Sequence, residues 1–162
     1  MEKELKIKTS DGHTIYGTLR TPVRKTNVLL IFIHGLTGHR NEHLFYNGAR
    51  FFEKQNIATF RFDLYTGEKG GRTLSNSTIS THGADLSAVT KFFRKKFRTI
   101  FVAGHSLGGL TILASNMNLV DGILLWDSSY TFRNRKPKYF IYNKCLDAYA
   151  VQYGTEYILS KR

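Results

Sequence analysis

Ser106 is the residue whose surroundings point most directly to chemistry. It stands in Gly104-His105-Ser106-Leu107-Gly108, between an apolar run at 100–103 and an apolar stretch that begins at Leu107. A serine hydroxyl is a weak nucleophile; it needs a base to take its proton and donors for the oxyanion formed when it attacks a carbonyl. A tight strand-to-helix turn supplies part of this, because it lifts the side chain clear of the sheet and aims the free amides of the following helix at it. Such a turn crowds its own backbone, so the residues two before and two after the serine must be small. Gly104 and Gly108 meet that need, and Gly109 lets a neighbouring segment approach. A second segment, "FIHGLTG" at 32–38, ends a long apolar run. Its glycine-bearing loop can aim the backbone N–H of Leu36 at the same oxyanion as the N–H of Leu107. Alone, the His34-Gly35 step reads as a strand end; ahead of the Ser106 motif in chain order, it points to acyl transfer.

The base is harder to find. The six histidines are His13, His34, His39, His43, His82 and His105, and none follows Ser106. His13 falls in a hairpin turn, and His34 and His105 are parts of the two loop motifs. His39 and His43 are four apart at a helix start, a spacing that suits a metal, but no third ligand is evident. No metal or cofactor is therefore expected. His82 begins a helix after a long loop. Asp127, just beyond the last core strand, is the candidate acid.

These groups need a scaffold. "LKIKTSDGHTIYGTLR" reads as strands at 5–9 and 14–20 joined by an Asp-Gly turn. "NVLLIFIHG" is a strand covered on both faces, "LFYNGARFFEKQ" a helix with Leu44, Ala49, Phe51 and Phe52 at nearly helical spacing, and "NIATFRFD" a further strand. Residues 64–80 read as a loop. "ADLSAVTKFFRKK" is a helix with Leu86, Val89, Phe92 and Phe93 on one face. The strand "TIFVAG", the helix "LGGLTILASNM" and the strand "DGILLW" follow. The repeating strand–helix order predicts a mixed, mostly parallel sheet with helices on both faces. Residues 1–130 form that core. Residues 131–162 are a basic, tyrosine-rich tail in which Leu146, Tyr149, Ala150, Tyr153 and Tyr157 lie near one helical stripe, either a packed helix or the start of a lid.

With "IFIHGLTG", "ATFRFDLYTGEKGG" and "TIFVAGHSLGGL" in order, the sequence resembles the α/β-hydrolase family, and within it the serine-aminopeptidase and monoacylglycerol-lipase-like group of esterases. The resemblance runs from residue 4 to about 130. It implies that Ser106 is the nucleophile, that the amides of Leu36 and Leu107 form the oxyanion hole, and that Asp63 is a structural residue at a strand end. It also implies an acid after a seventh strand and a histidine after an eighth, elements this sequence lacks, so the fold expected is the α/β-hydrolase sheet without its last strands. Some lipases of this fold carry their acid after the sixth strand, where Asp127 stands.

Length and composition bound the rest. A chain of 162 residues is most simply one domain. The charge of +12 gathers in "KFFRKKFR" (91–98) and "RNRKPK" (133–138), with no nucleic-acid fingerprint beside either. A solvated basic face is expected rather than a nucleic-acid partner. No window approaches 18 consecutive apolar residues, the charged start has no secretory core, and a lone Cys145 suits a reducing compartment, so the expected location is cytoplasmic. Three functions compete: a serine hydrolase acting on an ester or amide with a hydrophobic acyl group, a catalytically inactive relative that binds a ligand or protein, and a basic binding module. The motifs favour the first two. The apolar sixth strand, left at an edge, is expected to invite self-association or a partner chain.

Overall fold

The structure is a computed structural model and describes residues 1–129, 140–144, 148–151 and 158–160. Alternation of Leu5 and Ile7 with lysines yields β1 (Glu2–Lys8), and the turn at Asp11-Gly12 returns the chain as β2 (Thr14–Arg20), antiparallel from Glu2 opposite Arg20 to Lys8 opposite Thr14. Gly12 takes φ +89° in that turn, a conformation open to a residue without a Cβ. Next come β3 (Val28–Ile33), α1 (His43–Lys54), β4 (Ala58–Phe62), α2 (Ile79–Arg94), β5 (Thr99–His105), α3 (Leu107–Leu113) and β6 (Gly122–Trp126). The sheet order is β1-β2-β4-β3-β5-β6, with β3, β4, β5 and β6 mutually parallel and β2 antiparallel to β4. This is the mixed, mostly parallel sheet of an α/β-hydrolase-like fold.

Alternate residues of a strand face opposite sides of the sheet, so β3 shows where the helices lie. Leu29, Ile31 and Ile33 pack with Leu86, Val89, Phe93 and Ile112 of α2 and α3. Leu30 and Phe32 pack with Phe45 and Phe52 of α1 on the other face. Both faces of β3 are thus buried, which is why its sequence is an unbroken apolar run.

Several boundaries differ from the sequence reading. In α1 the buried residues are Phe45 and Ala49, while Phe51 is 58% exposed, because positions 45, 49 and 52 form the inward stripe and 51 falls off it. α2 starts at Ile79 through a capping box in which the Thr78 hydroxyl accepts from the Thr81 N–H at 3.1 Å. His82 therefore lies inside the first turn. α3 stops at Leu113 instead of continuing to Met117; the Asn116 side chain accepts from the Asn118 N–H at 3.0 Å, a local turn that competes with the helix.

The tail corrects a larger expectation. β7 (Phe140–Asn143), β8 (Ala148–Val151) and β9 (Ile158–Ser160) form a separate antiparallel sheet in the order β7-β8-β9. Tyr149 and Ala150 belong to β8 and not to a helical stripe, and Tyr149 stands opposite Tyr142 in the register. Aromatic and β-branched residues favour strands when a neighbouring segment can pair with them. Leu146, Tyr153, Tyr157 and residues 130–139 lie outside the described residues. No described helix is long and apolar enough to cross a membrane.

Candidate active site

β5 ends at His105 and α3 begins at Leu107, so Ser106 alone makes the turn, with φ +50° and ψ −115°. A non-glycine residue in that region stores about 1–3 kcal/mol of strain and persists only where its surroundings hold it. Here the Ser106 N–H donates to the Trp126 carbonyl at 3.2 Å, and its carbonyl accepts from the amides of Ser129 at 3.2 Å and Gly109 at 3.1 Å. The backbone is pinned to the end of β6 and to the first turn of α3. The side chain is half-buried, and its hydroxyl has no hydrogen-bond partner among the described residues. A Cβ on Gly104 would lie 2.6 Å from the Gly109 nitrogen, and one on Gly108 would lie 2.8 Å from the His34 carbonyl oxygen. The two glycines that flank Ser106 are therefore required by close backbone contact.

The loop after β3 closes over the same point. A Cβ on Gly35 would come within 3.2 Å of the Ser106 Cβ, so the His34-Gly35 step brings the two motifs together. Neither the Leu36 amide nor the Leu107 amide, the first of α3, donates a hydrogen bond among the described residues. Two free donors thus lie on segments that meet at an unengaged hydroxyl, an arrangement suited to stabilising an oxyanion.

The histidines do not complete it. The Leu64 N–H donates to His34 Nε2 at 2.9 Å, so the proton of this ring is on Nδ1, which lies 2.7 Å from the Gly35 carbonyl. Burial lowers the His34 pKa and keeps the ring neutral, and both nitrogens are occupied. His82 is also buried; desolvation, with the nearby His34 and Arg72, lowers its pKa to about 4. Its ring packs on Tyr65 at 6.1 Å, and neither nitrogen has a hydrogen-bond partner among the described residues. The His105 ring sits edge-on to Trp126 at 6.4 Å. No histidine is hydrogen-bonded to Ser106 among the described residues.

Asp127 follows β6 with φ +44°, between the Trp126 carbonyl and the Ser129 amide that hold Ser106. It is exposed, without an ion pair or hydrogen bond among the described residues. Asp63 is committed elsewhere: its carboxylate accepts from the Arg40 N–H at 2.7 Å and pairs with the Arg40 guanidinium, which also reaches Glu68 at 3.0 Å. It ties the loop after β3 to the end of β4. No three His, Cys, Asp or Glu side chains among the described residues cluster closely enough to hold a metal.

Sequence reasoning missed Tyr65. Its hydroxyl accepts from the Thr37 N–H at 2.6 Å and reaches the Gly35 carbonyl at 3.4 Å, bracketing Leu36. The only signal in the sequence is a tyrosine within the "RFDLYTGEKGG" loop.

The profile of the family described as "Putative serine esterase (DUF676)" matches residues 24–141. No curated protein sequence matches the chain. Est1E from Butyrivibrio proteoclasticus, solved with ferulic acid bound, is similar with a TM-score of 0.67 and 28% identity over 74% of this chain and 50% of that one. The lidless α/β serine hydrolase XC6422 from Xanthomonas campestris matches with a TM-score of 0.65 and 19% identity, over 76% of this chain and 60% of that one. Dienelactone hydrolase from Anabaena variabilis matches with a TM-score of 0.66 and 17% identity, over 79% and 63%. The last two show the fold alone. The chain spans about half the length of Est1E. With the sheet order, the turn at Ser106 and the family match in agreement, the chain belongs to the serine esterase family that this profile describes, on an α/β-hydrolase-like fold.

Proposed function

We propose that this chain carries the acylation half of a serine esterase site, with Ser106 as nucleophile and the amides of Leu36 and Leu107 as the oxyanion hole. The substrate is an ester, or an amide, with a hydrophobic acyl part. The observation that carries this is Ser106 held at φ +50°, with its hydroxyl and the Leu36 and Leu107 amides making no hydrogen bond among the described residues. In the reaction the Ser106 oxygen bonds to the carbonyl carbon while its proton passes to a base. Collapse of the tetrahedral adduct expels the alcohol and leaves an acyl-serine, which water hydrolyses. Asp127 is the candidate acid that would orient a histidine. The serine-aminopeptidase and monoacylglycerol-lipase-like group is the finer assignment, and a cytoplasmic location is part of the same reading. Est1E was solved with an aromatic acid, which makes aromatic esters a reasonable first probe.

A second reading is favoured by one observation: no described histidine reaches Ser106. Removing the histidine of a serine protease costs roughly a millionfold in turnover. On this reading the chain binds an acyl ligand or a protein without turning it over. An alkyl fluorophosphonate, which reports a reactive serine, tests the proposal. Slow labelling lost in Ser106→Ala supports the nucleophile, and equal labelling of the two proteins excludes it.

A further inference from the structure

We infer that Tyr65 is a positioning residue that sets the direction of the Leu36 amide; the inference rests on the reading of Leu36 as an oxyanion donor. The Gly35 carbonyl and the Leu36 N–H belong to one peptide unit, and in a trans peptide they point in opposite directions. Whatever holds the carbonyl therefore aims the amide. Three groups approach the Gly35 carbonyl: His34 Nδ1 at 2.7 Å, the Gly38 N–H at 3.2 Å and the Tyr65 hydroxyl at 3.4 Å. The first two come from the loop itself. Tyr65 comes from the loop after β4, and its hydroxyl also accepts from the Thr37 N–H at 2.6 Å. It thus holds the peptides on both sides of Leu36, while the Leu36 N–H donates no hydrogen bond among the described residues.

The local backbone needs such a hold. Thr37 sits at φ +72°, a left-handed conformation that a β-branched residue rarely adopts. Nothing in the sequence of the loop favours it. Among the described residues the bond to Tyr65 restrains Thr37 from outside its loop, and the tyrosine ring is itself fixed edge-on to His34 at 5.3 Å and against His82 at 6.1 Å. A hydroxyl on a packed aromatic ring is a rigid acceptor.

The test compares wild type with Tyr65→Phe, which keeps the ring and removes the oxygen. Ser106 is phosphonylated with an alkyl fluorophosphonate while the amides of Leu36 and Thr37 are followed by NMR. In wild type the Leu36 resonance is expected to move downfield as it bonds the phosphoryl oxygen. In Tyr65→Phe that shift should be lost and the labelling rate should fall by about 10- to 100-fold, short of or equal to the loss of a whole oxyanion donor, with the melting temperature little changed. Labelling at the wild-type rate with the Leu36 shift intact overturns the inference. If wild-type Ser106 does not react at all, the esterase reading fails by itself, and amide exchange decides the role of Tyr65. Thr37 protected and Leu36 fast in wild type, with Thr37 protection lost in the variant, supports it; unchanged protection overturns it.

Discussion

On the proposed reading of Ser106 as nucleophile, no histidine is hydrogen-bonded to it among the described residues, and this bounds what the isolated chain should do. Turnover of p-nitrophenyl esters is expected to stay well below about 1 per second, the low end for enzymes. Added imidazole should raise the rate in wild type and leave Ser106→Ala at background, because a diffusible base can take the Ser106 proton. A fast reaction insensitive to imidazole would mean that a base of the chain itself serves Ser106. His82 is poorly suited to that task, since it is held neutral and buried, and its own titration bears on stability instead. Its folded pKa of about 4 lies below the 6.5 of an ordinary histidine, so the unfolded chain takes up the proton first. The stability contribution is complete above about pH 6.5 and is lost as pH falls towards 4, by up to about 3 kcal/mol. His34 shifts in the same direction for the same reason. His82→Phe keeps a ring against Tyr65 and removes two buried nitrogens that have no hydrogen-bond partner among the described residues. It should be at least as stable at pH 7 and decline less between pH 6.5 and 4. Urea unfolding at pH 7 and pH 5 measures this, and an unchanged decline would show that His82 is not the acid-sensitive group.

Among the elements, the strand–turn–helix at 99–113 carries the clearest requirement. Gly104→Ala and Gly108→Ala each place a methyl group against backbone that cannot retreat without moving Ser106. Each should cost roughly 3 kcal/mol. Gly67→Ala, with nothing within 4 Å of its Cβ, should be close to neutral. Thermal unfolding of the three variants tests the contrast, and equal effects would remove the argument for a crowded turn. This element was legible in the sequence because its constraint is local: glycine spacing and an apolar flank on each side are read directly along the chain. The core strands were legible for the same reason, since β3 buried on both faces must be apolar throughout. The inward face of α1 was not, because Phe45, Phe51 and Phe52 are alike in sequence and only packing on Phe32 selects among them. Nor was the tail, whose spaced aromatic residues fit either a helical stripe or a strand until β7 and β9 pair with β8. The contact of His34, Tyr65 and His82 joins the end of β3, the loop after β4 and the start of α2, and no local pattern announces a meeting of three separate elements.

At the scale of the whole molecule the unresolved demand is the outer edge of β6. This strand pairs with β5 on one side, and among the described residues no strand pairs with the other. Ile123 is 50% exposed and Leu124 57%, on opposite faces of the strand, and Trp126 is on the same face as Leu124. That face continues into a groove of about 570 Å³ between α1 and β6, lined by Phe32, Phe51, Phe52, Leu124 and Trp126 among others. Natural edge strands are usually guarded by lysine, proline or a bulge. Gly-Ile-Leu-Leu-Trp has no such guard. We therefore expect the chain to self-associate through β6, with backbone pairing along the edge and apolar burial beside it. Leu124→Lys, which places a charge at the centre of the edge, should shift it towards monomer. The net charge of +12 opposes association between copies. Raising salt from about 0.1 M, where the screening length is about 10 Å, should therefore strengthen association, the opposite of an electrostatic complex. Sedimentation at tens of micromolar, with and without added salt, decides the matter. A clean wild-type monomer at both salt concentrations would show that the edge is protected within the chain itself.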